Sequence, residues 1–425
     1  MIVTFLILSN LLFLYSLLVQ YKKYNYLIFA HVGLITYFLF LLYYSIPLLF
    51  NIYFFESYSD EYRLKILNIN YEENIELVKH IFIGSLGFAL VYIFQSKKKK
   101  EINLTKNYSD YIYYLFFLII VFYLLKYFFN SDFEITSRLS SFKFIKSLPR
   151  TNAQILKFIS VTYFYLEVIF YFEFCRRFGE KKKIVYLFII SFLIINFFNI
   201  GLYSNRSELF IKLIVIIIAF NLYVRKINLY QIAIIVIFLI SFLIIWGNLR
   251  EYDANDKFMI KSIGEFDMIY ANFFDILRRA PHDISLKIKF FDFYSFFPGQ
   301  FLPFEKKSLS DWFMTNFHYE YYDKGGGYGF GILAESLTGW GILETFIKIF
   351  FLSFILDKLF KIFINRQTLI YRNIYIILII TCPLSIRVSA FYFMYDLIQF
   401  SVIFIIFFLF FFLLSISSRV QNLKK

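Results

Sequence analysis

Long apolar runs alternate along the chain with short polar breaks, and the length of the runs sets their class. A helix crossing a bilayer needs about 20 mostly apolar residues. Eleven runs reach that scale, near residues 2–19, 27–50, 77–95, 111–129, 152–174, 184–202, 208–224, 229–247, 332–356, 368–385 and 390–416. The pattern predicts an all-α polytopic membrane protein of about 11 transmembrane helices. It divides the chain into residues 1–247 with helices one to eight, a long segment 248–331, and residues 332–425 with three helices and a tail. The first run has no basic start and no A-x-A-like cleavage site, and Lys22 and Lys23 follow it. It reads as a retained helix and not a signal peptide.

Composition sharpens this picture. Hydrophobic residues make up 60% of the chain and charged residues 17%, against roughly 45–50% and 25% in soluble domains. The 62 Phe, 36 Tyr and 3 Trp exceed what a soluble core hides. Two cysteines exclude a disulfide scaffold and a Cys-rich metal site, and four histidines leave little for a His-based one. The net charge of +14 does not point to nucleic acid, because the basic residues sit in clusters between apolar runs. Lys22 and Lys23, then Lys97 to Lys100, then Arg176, Arg177 and Lys181 to Lys183, then Arg225 and Lys226, fall on every second connection. Lys358, Lys361 and Arg366, and the tail with Arg419, Lys424 and Lys425, continue the series. The opposite connections are balanced or acidic, as in 51–76 with Glu56, Asp60, Glu61, Glu72, Glu73 and Glu76. Cytoplasmic loops carry the Lys and Arg excess, so the N-terminus is expected outside and the C-terminus inside. Cys175 and Cys382 then lie on opposite sides, too far apart to pair.

The segment 248–331 differs from the short connections elsewhere. A long loop without a strong periodic pattern is usually functional or disordered, and stretches such as FFDFYSFFPGQFLPF are too aromatic for disorder. A packed outer cap or lid of short helices is expected.

Charges at the mouths of apolar spans carry the chemistry. Arg206 lies in GLYSNRSELF, Arg250 in WGNLREYD, Arg278 and Arg279 in FFDILRRAPHD, and Arg387 in CPLSIRVSAFYF, all on the outer side of the expected topology. Each has a plain reading as an interfacial anchor or a solvated face. Together they match what a lipid diphosphate requires, because guanidinium is planar, always charged and bonds two oxygens at once. The run DKGGGYGFGILAESLTGWGILE supplies Gly325, Gly326, Gly327, Gly329 and Gly331 ahead of the ninth span. No G-K-[ST] follows, so it is not a P-loop. Its N–H groups are expected to form an anion nest at the outward, positive end of that span. Glu335, one turn into the span, needs a partner, expected to be an outer arginine, and Gly339 and Gly341 are expected to let another helix approach. His318, Glu320 and Asp323 are candidate general bases, with Asp311, His282 and Asp283 nearby in sequence. The aromatics Phe317, Tyr319, Tyr321 and Tyr322 suit the membrane interface. Mid-span ionisable residues are few, Glu167 and His31 being the clearest. There is no G-x-S-x-G, no H-E-x-x-H, no D-x-D pair and no nucleotide-binding signature.

The Arg turn GLYSNRSELF, the large outer segment two spans later and the run GGGYGFGILAESLTGWG resemble bacterial O-antigen polymerases (the Wzy family), also called oligosaccharide repeat unit polymerases. The resemblance implies a metal-independent membrane glycosyltransferase, without a cofactor, in the bacterial inner membrane with its active site facing the periplasm. It implies undecaprenyl-diphosphate-linked oligosaccharides as donor and acceptor, membrane lipid as surroundings, no nucleic acid, and it admits a chain-length regulator as a partner. On that basis Arg206 and Arg250 are expected to bind the diphosphate, with Arg278, Arg387 and Gly325 to Gly327 as further contacts. Glu335 is expected to orient an arginine or the glycine loop, and His318 or Asp323 to take the proton. Many relatives have two outer loops where this chain has one. An O-antigen ligase, which also uses outer arginines and an outer histidine, and a lipid-linked oligosaccharide flippase are the alternatives. The GGG…AE run favours the polymerase over the first. The scarcity of mid-span charge argues against the second.

Overall fold

A computed structural model describes residues 1–53, 69–94, 111–130, 148–199, 206–228, 265–279, 309–319, 329–366 and 368–390, with scattered positions between 230 and 241 and between 394 and 405. The described residues contain helices and no strand. In chain order the helices are α1 (Ile2–Tyr24), α2 (Val32–Tyr53), α3 (Tyr71–Ile93), α4 (Tyr111–Asn130), α5 (Arg150–Phe178), α6 (Lys182–Asn199) and α7 (Arg206–Tyr223). They continue with α8 (Glu265–Arg279), α9 (Leu309–Phe317), α10 (Ile332–Leu337), α11 (Ile342–Asn365) and α12 (Leu369–Arg387). A 3-10 turn, Asn25–Ala30, joins α1 to α2.

Among the described residues, five segments are long and apolar enough to cross a membrane: Ile2–Ala30, Val32–Leu49, Tyr71–Ile93, Phe158–Phe178 and Leu369–Arg387. Shorter apolar stretches, Ile112–Phe128 and Ile211–Tyr223, accompany them. The outward face of α1 leaves Val3, Ile7, Leu11, Leu14 and Leu18 about half exposed. Such a stripe is costly in water and at home against lipid.

Local chemistry places the helix starts. Asn70 accepts the Glu73 N–H at 2.8 Å while the Glu73 carboxylate accepts the Asn70 N–H at 2.9 Å, a reciprocal cap that opens α3. Asn228 and Gln231 repeat the arrangement at 2.8 and 3.2 Å where the eighth apolar run begins. Most of that run, and most of the eleventh, lies outside the described residues.

Contacts sort the helix ends into two groups. At the basal end, Gln20 near the end of α1 donates to the Tyr92 carbonyl near the end of α3, at 2.7 Å. Asn221 near the end of α7 donates to the Tyr26 carbonyl before α2, at 2.9 Å, and Tyr375 of α12 donates to the Ala30 carbonyl. The Arg177 guanidinium at the end of α5 lies 4.7 Å over the Tyr113 ring at the start of α4. At the cap end, Tyr270 of α8 bridges Asn51, near the end of α2, and Asn74, near the start of α3, at 3.1 Å each. His80 of α3 meets Thr345, near the start of α11, at 2.8 Å. Successive long helices therefore run up and down.

Buried charge is more abundant than the sequence suggested. Glu173 takes Arg176 at 2.7 Å and Arg372 of α12 at 2.9 Å, all three side chains less than a tenth exposed. Glu167 pairs with Lys212 of α7 at 2.7 Å, and His31 faces Asp357 at 3.4 Å while Lys361 holds the same carboxylate. Beyond Glu167 and His31, the interior thus holds Lys212, Glu173, Arg176, Asp357 and Arg372, each in contact with an opposite charge, as a low-dielectric interior demands. Cys175 and Cys382 are both buried and free.

The ninth apolar run corrects an expectation. It is not one span from 332. Six residues form α10, the chain turns through 338–341, and the long helix starts at Ile342. Gly341 does not admit a neighbouring helix, since an added Cβ would meet nothing within 4 Å. Its φ of 59° serves the turn.

Candidate functional site

The cap end brings together α8, α10, the start of α11 and the last turn of α12. The α8 sequence buries Ile269, Tyr270, Phe273 and Phe274 against α2 and α10. That leaves Asn272 and Asp275 on its flank at the level of the glycine-rich segment. Asn272 donates to the Gly329 carbonyl. Leu333 N–H donates to the Tyr44 hydroxyl of α2 at 3.2 Å.

The described end of the glycine run lies along the turn that follows α12. Gly331 N–H donates to the Val388 carbonyl at 3.0 Å. At Gly329 an added Cβ would stand 2.6 Å from the Arg387 carbonyl oxygen. Gly331 has φ 89°, and a Cβ there would strike Ile269 and the Tyr44 hydroxyl. Only glycine lets the two backbones close to this distance. The Gly331 and Leu333 N–H groups are thus used inside the protein, and the described part of the run is a packing seam and not the anion nest the sequence suggested. Gly325, Gly326 and Gly327 lie outside the described residues.

Glu335 is buried as expected, but its cation is not an arginine. Lys348 of α11 lies 2.7 Å from one carboxylate oxygen, and the other accepts the Ala390 N–H at 2.9 Å. Lys348 also meets Glu344 at 2.5 Å. The carboxylate therefore ties α10 to α11 and to the turn that carries Arg387. Arg387 closes α12 and is partly buried beside Gly329.

His318 follows α9. Its Nε2 lies 2.6 Å from Asp275 of α8, and the Arg279 Nε donates to the other oxygen of that carboxylate at 2.8 Å. The Arg279 guanidinium sits 4.7 Å over the Phe317 ring. A carboxylate on one ring nitrogen fixes the tautomer and orientation of a histidine, the arrangement that prepares a general base. Arg278 is held by Glu73 at 2.6 and 2.8 Å through two nitrogens. That hydrogen bonding pushes its pKa above the ordinary arginine value. Arg278 serves here as a tie between α8 and the start of α3.

Of the other expected site residues, Arg206 begins α7. Arg250, Asp323, Glu320, His282 and Asp283 lie outside the described residues. Asp311 stands in the first turn of α9, favourable for its dipole. Asp275, Asn272, Glu344 and Lys348 were not singled out from the sequence. Three of them had a signal: Asp275 precedes Arg279, and Glu344 precedes Lys348, by four residues, the spacing of a helical ion pair.

The described residues hold no group of three or more His, Cys, Asp or Glu placed to bind a metal. Arranged as they are, an oriented histidine, a partly buried arginine and a glycine seam suit proton transfer beside an anionic leaving group. Neither the curated proteins nor the solved structures give a match to the chain. A family model described as O-antigen polysaccharide polymerase Wzy matches residues 1–420, which takes in every described helix and the whole cap-end cluster. The chain therefore belongs to the O-antigen polysaccharide polymerase Wzy family, membrane proteins that join O-antigen repeat units into polysaccharide.

Proposed function

We propose that the enzyme works on repeat units carried by undecaprenyl diphosphate, transferring the growing chain from its carrier to the non-reducing end of a new lipid-linked unit. An acceptor sugar hydroxyl attacks the anomeric carbon of the donor, the bond from that carbon to the diphosphate oxygen breaks, and the hydroxyl proton passes to His318. Undecaprenyl diphosphate leaves with the electron pair of the broken bond. Negative charge grows on it as the bond lengthens, so arginines there stabilise the transition state more than the bound substrate. Arg387, Arg206 and Arg250 are assigned to that charge. Arg278 would join them only on leaving Glu73. Asp275 orients His318.

One observation carries this reading: the glycine seam, with Glu335, fastens Arg387 beside the helix whose Asp275 holds His318. The up-and-down order of the helix ends and the basic clusters support eleven spans, N-terminus out and C-terminus in, with residues 1–247 and 332–425 in the inner membrane and 248–331 at its periplasmic face. On this topology the cap end faces the periplasm. A chain-length regulator is a proposed partner.

The test is deletion of the gene in its host, with a gel of surface glycolipids. The expected result is collapse of the ladder to core bearing a single repeat unit. Complementation with Arg387→Ala or His318→Ala should lower polymer formation on the order of 10²–10³-fold, as for other donors to a developing anion. Bare core with polymer waiting on the carrier would overturn the reading in favour of a ligase. Single units trapped inside would point to a flippase.

A further inference from the structure

We infer that Lys348 is a positioning residue for the polymerisation step, acting through Glu335 on the backbone that carries Arg387. The inference rests on the role proposed above for Arg387. Lys348 lies in an apolar helix, its side chain 13% exposed, and bridges two carboxylates that are still more buried. Each carboxylate spends its other oxygen on a loop. Glu335 receives the Ala390 N–H at 2.9 Å, and Glu344 receives the Trp340 N–H at 3.0 Å. One ammonium therefore holds both the turn that separates α10 from α11 and the turn that follows α12. The second is the partner of the glycine seam, through Gly331 N–H on the Val388 carbonyl.

The electrostatics give the arrangement its direction of action. Without Lys348 two carboxylates face each other in a poorly solvated interior, and like charges in one site repel or take up a proton. Either outcome loosens the Ala390 tether. A protonated or displaced Glu335 is a weaker acceptor, and charge-assisted bonds are about twice as strong as neutral ones. The turn at 388–390 then separates from Gly331, and Arg387 moves with it. Lys348 reaches no substrate in this account.

The experiment uses the full-length protein in nanodiscs with lipid-diphosphate-linked repeat units. Lys348→Met should lower kcat at least tenfold and leave the donor KM within a factor of about three, as expected when only a transition-state contact is displaced. Lys348→Arg should recover most of the rate. In an Arg387→Lys background Lys348→Met should cost nothing further. Hydrogen exchange of the backbone at 386–390 should be faster in Lys348→Met and unchanged in Arg387→Lys. Rate losses that multiply, or exchange that stays unchanged, would overturn the inference while leaving the role of Arg387 intact. A fully active Arg387→Lys and Arg387→Ala would remove that role first, and this inference with it. If Lys348→Met does not yield folded protein, Glu335→Gln replaces the charged acceptor of the Ala390 N–H with a weaker neutral one and should act in the same direction, with faster exchange at 386–390 and a lower kcat at an unchanged KM.

Discussion

Gly329→Ala separates the glycine seam from the charges around it. Alanine at Gly329 adds one methyl group at a close approach of two backbones, and its effect is steric. The added Cβ would stand 2.6 Å from the Arg387 carbonyl oxygen and 2.9 Å from Arg387 Cγ, where ordinary contact starts at 3.4 Å. The nearest atom is backbone, so the two segments must part by the difference, about 0.8 Å. Misplacing a catalytic group by ~1 Å costs on the order of 10²-fold in rate, and overpacking costs about 1–3 kcal/mol of stability. Gly341→Ala is the control. It carries φ 59° and ψ −125° in open space, a backbone conformation outside the left-handed helical well, which costs about 1–3 kcal/mol and places no atom against Arg387. The two variants should unfold at similar temperatures and differ by about two orders of magnitude in the initial rate of polymer formation. The assay is elongation of lipid-linked repeat units by protein in nanodiscs, with thermal unfolding of the same samples. A Gly329→Ala enzyme that keeps a third or more of the wild-type rate, at the stability of Gly341→Ala, would refute the reasoning.

Two further outcomes concern the bundle. Glu173→Ala leaves Arg176 and Arg372 buried side by side and should destabilise more than Arg372→Ala, which leaves a Glu173–Arg176 pair. The larger loss should be about 3–5 kcal/mol, read by thermal unfolding in detergent, and the reverse order would count against Glu173 as the shared partner. Cys175 and Cys382 should resist a maleimide in the folded protein, react after denaturation, and give the same gel mobility with and without reductant. A reductant-dependent shift would mean that they pair.

The long helices were legible because a bilayer sets a single length scale, and runs such as 77–95 and 368–385 meet it with little ambiguity. The alternation of basic clusters also foretold which helix ends lie together. The break at 338–341 was hidden because ILAESLTGWGILETF stays apolar across it, and only the backbone shows that Gly341 turns the chain. Composition likewise cannot show that a charge is paired across the bundle, so nothing in the sequence marks Lys212 or Arg372 as buried partners. At the site, Glu335 was legible as a buried carboxylate in an apolar stretch. Its partner was not, because Lys348 reaches it only after the chain reverses between α10 and α11. His318 was one histidine among several candidates until Asp275, 43 residues earlier, was seen to hold it.

The Glu173–Arg372 pair also has a consequence for synthesis. The two residues are 199 positions apart, and at roughly 5–20 residues per second the first waits on the order of 10–40 s for the second to be made. During that interval α5 sits in the membrane with its acid covered only by Arg176, one turn away on the same helix. The local pair lowers the cost of placing α5 in the membrane early, and the arrival of α12 then brings a second cation to the same carboxylate. The helix α12 is in this way drawn to its berth by a charge laid down 199 positions earlier, and a ribosome that stalls short of Arg372 leaves a bundle whose basal end has not been closed.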